Sequence, residues 1–138
     1  IGQQQAVPTV VQAEEAVAEG GDARHRACLS RFRSSCHALR VETDRHLPVA
    51  VKPPRHLRTC RMCDSSELVE DEHHFVFTCP LYDSLRFDFA DLFSTNCLTL
   101  SYFLNQSNQD RVAQFVYACF DLRRQMTQMS LAGSENAL

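Results

Sequence analysis

Cys60, Cys63, His74 and Cys79 are the residues whose types and spacing carry the most specific chemistry in this chain, in the pattern C-x2-C-x10-H-x4-C. A tetrahedral zinc ion takes four thiolate or imidazole ligands at roughly 2.0–2.3 Å. Two cysteines separated by two residues reach one ion from a tight turn whose backbone amides point at the sulfurs. A histidine and a cysteine five positions apart face the same way at the end of a short helix or turn. Four protein ligands leave no position for a substrate or an activated water, so one structural Zn2+ is expected rather than a catalytic one. In so small a domain the binding energy of the ion becomes folding energy. His73 is the alternative donor. Adjacent helical residues point about 100° apart, so only one of the two histidines serves, and the H-x4-C spacing favours His74. Redox use of the Cys60/Cys63 pair is not expected, because no thioredoxin-like βαβ pattern surrounds it.

Other reactive side chains form no comparable set. Cys28, Cys36, Cys97 and Cys119 bring the cysteine count to seven and sit at intervals that suit buried small hydrophobes. The odd count, with no basic n-region or hydrophobic stretch at the start, predicts a reduced intracellular setting, nuclear or cytoplasmic. His37 and His46 near Glu42 are expected to be hydrogen-bonded or interfacial rather than a second metal or base set. Ser34-Ser35 beside His37 lacks an oxyanion turn and an orienting acid. No catalytic residue and no small-molecule substrate are therefore assigned.

The elements that must position the ligands are mainly helical. Residues 1–21 read as a flexible tail with a Gln run and Gly20-Gly21, in which Val10 to Glu19 has the pattern of a short amphipathic helix. Residues 22–55 form a basic arm. In it Ala27, Cys28, Phe32, Cys36 and Leu39 recur at helical spacing from Ala23 to Leu39. The segment Leu47 to Pro54, with Pro48, Pro53 and Pro54, is expected to be extended. Residues 56–80 are the metal knuckle and 81–130 a helical region. There Pro80 suits the first position of a helix bearing Leu81, Leu85, Phe89, Leu92 and Phe93. A shorter apolar stretch, Leu98 to Leu104, follows. Asn108 can cap a longer helix whose stripe is Val112, Phe115, Val116, Cys119, Leu122, Met126 and Met129. Residues 131–138 are expected to fray. Period-two alternation is confined to Phe75-Val76-Phe77 and Leu39-Arg40-Val41. The expected fold is a small, mainly α, zinc-stapled helical domain with a short hairpin or turn at the metal site. No run of eighteen apolar residues exists, so no membrane partner is expected.

Charge is segregated beneath a net value of −3. Residues 22–62 hold ten Arg or Lys against three acids, a net +7, whereas residues 63–138 carry −7. Nine of those ten cations are Arg, whose planar guanidinium pairs bidentately with phosphates and stacks on bases. The pattern predicts an anionic partner for the basic half and a protein contact for the acidic helical half, unless the two halves neutralise each other within the fold.

Several stretches resemble the C-terminal zinc-knuckle (CCHC) region of LINE-type (non-LTR) retrotransposon polyproteins and the reading frames derived from them. These are Phe32 to Glu42 (FRSSCHALRVE), Arg45-His46, Arg58 to Cys63 (RTCRMC), Val69 to Tyr82 (VEDEHHFVFTCPLY) and Leu85-Arg86. The likeness spans about residues 31–93. It departs at Thr43-Asp44, where that family usually has a Gly before the Arg-His pair. The resemblance implies zinc on Cys60, Cys63, His74 and Cys79, and nucleic-acid binding beside a reverse transcriptase domain. In that reading Arg31, Arg33, Arg40, Arg45, Arg55, Arg58 and Arg61 contact RNA or DNA phosphates. A protein-docking module that has lost nucleic-acid binding is the alternative. The segment itself is expected to be non-catalytic. It has no Asp-Asp pair for polymerase chemistry, and no Pro-Asp or Lys beyond Pro80 for the nuclease that some such elements carry.

Overall fold

The computed structural model describes residues 23–63 and 66–136, so the expected tail and its amphipathic stretch lie outside the described residues. Among the described residues five α-helices follow one another: α1 (residues 23–33), α2 (Arg40–Thr43), α3 (Asp83–Asp88), α4 (Leu100–Leu104) and α5 (Gln109–Asn136). Single 3-10 turns and one π-turn link them. The fold is mainly helical, as its periodicities predict.

Helix α1 buries Cys28, Leu29 and Phe32 but stops before Leu39. Ser35 adopts φ 60, the left-handed region. Its N–H bonds to the Phe32 carbonyl at 3.3 Å, and the Cys36 N–H reaches back to the Arg31 carbonyl at 2.8 Å. This pair of bonds is a Schellman ending, built on serine where glycine is usual. Leu39 is still buried, but from the segment beyond the helix, and Cys36 is exposed.

The proline-rich segment is not extended throughout. The N–H groups of Val51 and Lys52 both bond to the Pro48 carbonyl, at 3.0 and 2.9 Å, closing a turn. Proline restricts the residue before it, and Leu47 is indeed extended at ψ 154. Val49 and Ala50, which precede no proline, remain able to turn.

Pro80 opens a helical segment, as expected, but the segment is broken into a 3-10 turn at Pro80–Tyr82, α3 and a second 3-10 turn at Ala90–Leu92. Thr99 caps α4 by accepting from the Tyr102 N–H. Asn108 caps α5, its Oδ1 accepting from the Arg111 N–H at 3.2 Å. The stripe on α5 is fully buried at Val112, Phe115, Val116 and Cys119. Its outer end is not buried: Met126 and Met129, which the helical spacing places on the same stripe, are exposed. The helix also continues to Asn136, through most of the stretch expected to fray.

Aromatic rings knit the core. Phe75 lies 4.5 Å from Phe120 and 4.8 Å from Tyr82, and Phe103 lies 5.6 Å from Phe115 and 5.4 Å from Phe93. Each of the fully buried rings of Phe75, Phe103 and Phe115 contributes about 1.5–3 kcal/mol.

Candidate metal centre

Two short pieces of backbone deliver the four ligands. The first is a minimal hairpin. Thr59 and Val69 form an isolated antiparallel bridge, with the Cys60 N–H bonded to the Leu68 carbonyl and the Glu70 N–H to the Arg58 carbonyl, both at 2.9 Å. Cys60 leaves this bridge directly into the turn at residues 61–63, and the backbone N–H groups of Met62 and Cys63 point at its sulfur.

The second piece is the π-turn His74–Thr78. In an α-helix, residues five apart diverge by about 140°, which would separate a histidine from a cysteine at H-x4-C spacing. The π-turn removes that mismatch, because its bonds run from residue i to i+5. Here the Cys79 N–H bonds to the His74 carbonyl at 2.8 Å. The alternation Phe75-Val76-Phe77 therefore marks this turn and not a strand. Asp71 starts the turn, its Oδ1 accepting from the His74 N–H at 2.9 Å. Pro80 has no N–H to offer the Phe75 carbonyl, and Arg86 of α3 supplies the donor instead. Its guanidinium reaches the Phe75 carbonyl at 3.2 Å and the Val76 carbonyl at 2.7 Å.

One ligand atom from each of Cys60, Cys63, His74 and Cys79 lies within 4.8 Å of all the others. The Cys60 and Cys79 sulfurs are 3.9 Å apart, and the Cys63 sulfur is 3.5 Å from His74 Nε2. Ligands at tetrahedral angles and zinc-like bond lengths stand about 3.8 Å apart for two sulfurs and about 3.6 Å for sulfur and nitrogen. The donor set thus fits a single metal ion. It does not fit a disulfide, whose sulfurs are about 2.05 Å apart, and no disulfide joins the seven cysteines. Cys60, His74 and Cys79 are buried and Cys63 is half-buried. The contact with Cys79, reinforced by burial, pushes the Cys60 thiol up to about 12. The same contact holds Cys79 below its usual value. A backbone N–H from Leu81 also favours the Cys79 thiolate. His73 is exposed, its ring 5.0 Å from that of Phe77, and takes no part in the cluster.

The site is braced by residues that periodicity does not single out. Glu70 is 2% exposed and has one carboxylate oxygen 3.9 Å from the Cys60 sulfur. It accepts from the Arg40 N–H at 2.8 Å and pairs with Arg123 of α5. His37 pairs with Glu72, Nε2 to Oε1 at 2.8 Å, and not with Glu42. Its Nδ1 accepts from the Leu39 N–H, so Nε2 carries the proton that bonds to Glu72.

The seven arginines expected at phosphates divide. Arg58 is 8% exposed and donates to the Val41 and Pro53 carbonyls at 2.9 and 3.2 Å. Arg40 is half-buried, held by Asp44 at 2.7 Å and by the Thr59 carbonyl at 3.0 Å. Both guanidinium groups satisfy the fold's own acceptors, which corrects their placement among phosphate contacts. Arg33 is exposed but tied to the Leu104 carbonyl and the Gln109 side chain. Arg31, Arg45, Arg55 and Arg61 are exposed. Arg55 pairs with Asp71 at 3.2 Å, an arginine–carboxylate contact that joins segment 22–62 to segment 63–138.

Fold and site together define a small, mainly helical chain with a Cys3His cluster able to hold one metal ion. No family model, no curated protein and no solved structure matches it. No helix among the described residues is long and apolar enough to cross a membrane.

Proposed function

We propose that this chain is a zinc-dependent nucleic-acid-binding module of a retroelement-derived protein, non-catalytic in itself, with one structural Zn2+ on Cys60, Cys63, His74 and Cys79. The observation that carries the reading is a Cys3His donor set at the end of a basic segment in which Arg31, Arg45, Arg55 and Arg61 are exposed. Zinc would fix the hairpin turn against the π-turn and so hold the basic arm against the helical half. Arg31, Arg45, Arg55 and Arg61 would then meet phosphates of RNA or DNA, giving affinity with little sequence specificity and a steep dependence on salt. The nuclear or cytoplasmic setting expected from the sequence accords with such a partner.

The test is a titration of the metal-loaded chain with single- and double-stranded RNA and DNA at two salt concentrations, paired with metal analysis. One equivalent of zinc and binding that weakens with salt support the reading. No binding at about 50 mM salt removes the nucleic-acid part. No metal in the reduced protein removes the zinc part.

A second reading, a zinc-stapled protein-interaction module, is favoured by apolar side chains on the helical half. Phe87 is 82% exposed, Leu98 76% and Tyr102 46%. Affinity capture by the chain, abolished by Phe87→Asp with nucleic-acid affinity unchanged, would support it.

A further inference from the structure

A cleft of about 680 Å3 lies between the end of α1 and the outer half of α5, and none of the four metal ligands lines it. Its floor includes Cys28, Tyr117 and Phe120, and its mouth carries Arg31, Arg124 and Gln128. We propose that this cleft seats one unstacked base of a single-stranded nucleic acid, with Arg31 on the adjoining phosphate; the proposal rests on the nucleic-acid reading above and names where the strand enters.

Three observations carry it. First, the two rings are fixed in advance. Tyr117 is held edge-on by His25 at 4.7 Å, and Phe120 packs at a tilt of 31° against Phe75 at 4.5 Å. Stacking a base on them immobilises little that is not already ordered, and every base offers a π-face to such a platform. Second, the charge at the mouth suits an anion. Arg31 is exposed and its side chain makes no hydrogen bond or ion pair among the described residues, while Arg124 is balanced by Asp121. Third, the volume falls in the range of about 300–1,000 Å3 typical of small-molecule sites, which is room enough for one base. A base inside a duplex cannot enter such a cleft, so the proposal requires an unpaired strand.

Cys36 lines the cleft and its thiol is exposed, which supplies a direct readout on the intact, metal-loaded chain. The rate at which iodoacetamide alkylates Cys36 is followed by mass spectrometry with oligo-dT, oligo-U, a blunt DNA duplex or polyglutamate added at saturation. Protection by either single strand, with little by the duplex, is expected. Arg31→Ala should also reduce the slope of log affinity against log salt by about 0.7 for the single strand that protects. Single strands that bind without slowing alkylation, or a duplex that protects equally, overturn the cleft proposal and leave the nucleic-acid reading standing. Protection by polyglutamate alone assigns the cleft to an acidic peptide and overturns it too. Absence of nucleic-acid binding at about 50 mM salt removes both.

Discussion

Glu70 and Arg123 form a doubly bonded ion pair across 53 positions of sequence, Nε to Oε2 and Nη2 to Oε1, both at 2.9 Å. Their side chains are 2% and 16% exposed. Glu70 also has Oε2 3.9 Å from the Cys60 sulfur and accepts from the Arg40 N–H. One carboxylate thus joins the metal hairpin, the basic arm and the longest helix.

Losing one partner of such a pair leaves a buried charge uncompensated, which costs about 3–5 kcal/mol. Arg123→Ala in the metal-loaded chain should therefore lower stability by about that much, read from urea unfolding. Replacing both partners by leucine should recover only part of the loss, because the Arg40 N–H would then lack its acceptor, at about 1–3 kcal/mol. A loss below about 1 kcal/mol for Arg123→Ala would show that the pair does not hold α5 to the hairpin.

Ser35 occupies a left-handed backbone position that costs an L-residue roughly 1–2 kcal/mol and glycine almost nothing. Among the described residues its side chain makes no hydrogen bond that this change would remove. Ser35→Gly should raise stability by about 0.5–1 kcal/mol, after the greater freedom of glycine in the unfolded chain is subtracted. A drop in the unfolding midpoint would contradict the Schellman ending of α1.

Asp91 should titrate below the usual aspartate range, because Arg111 donates to its carboxylate from Nε and Nη2 at 3.1–3.3 Å. Arg111 is itself fixed, its guanidinium carbon 4.0 Å from the centre of the Phe89 ring. A folded-state value below the unfolded one means that the stabilisation is complete above the unfolded aspartate range. It is lost as pH falls through the depressed folded value. Carboxyl NMR titration should show this depression, and Arg111→Gln should return Asp91 towards its ordinary range. An unchanged titration in the variant would show that the pair is absent in solution.

How much of this was readable from residues alone follows the physics of each element. The ligand set needs only residue types at fixed spacing, so Cys60, Cys63, His74 and Cys79 stood out, and the structure gathers them. The capped helix after Asn108 was legible because cap and stripe agree over a long window. The end of α1 was not, because a serine holds the conformation that glycine would have signalled. The buried roles of Arg40 and Arg58 were hidden for a different reason. Arginine pairs with backbone carbonyls and with phosphates through the same donors, and only the folded chain shows which acceptor is near. Glu70 looked like one acid among many in an acidic run, since its partner Arg123 is remote in sequence.

The adjacent histidines separate the metal site from a chance gathering of thiols. His74 is 4% exposed with Nε2 beside the Cys63 sulfur, whereas His73 faces outward beside Phe77. Cobalt-loaded protein should show the intense visible bands of a tetrahedral thiolate site. His73→Ala should keep those bands and bind one equivalent of metal. His74→Ala should lose affinity by more than tenfold, at least about 1.4 kcal/mol, and loosen the fold with it. Lengthening the spacing should do the same without touching any ligand. An alanine inserted between Val76 and Phe77 would break the match between the i to i+5 turn and the H-x4-C pair. Equal metal affinity in the two histidine variants would mean that the π-turn does not select the donor. Retained bands in the insertion variant would mean that its geometry is not what brings His74 and Cys79 to one ion.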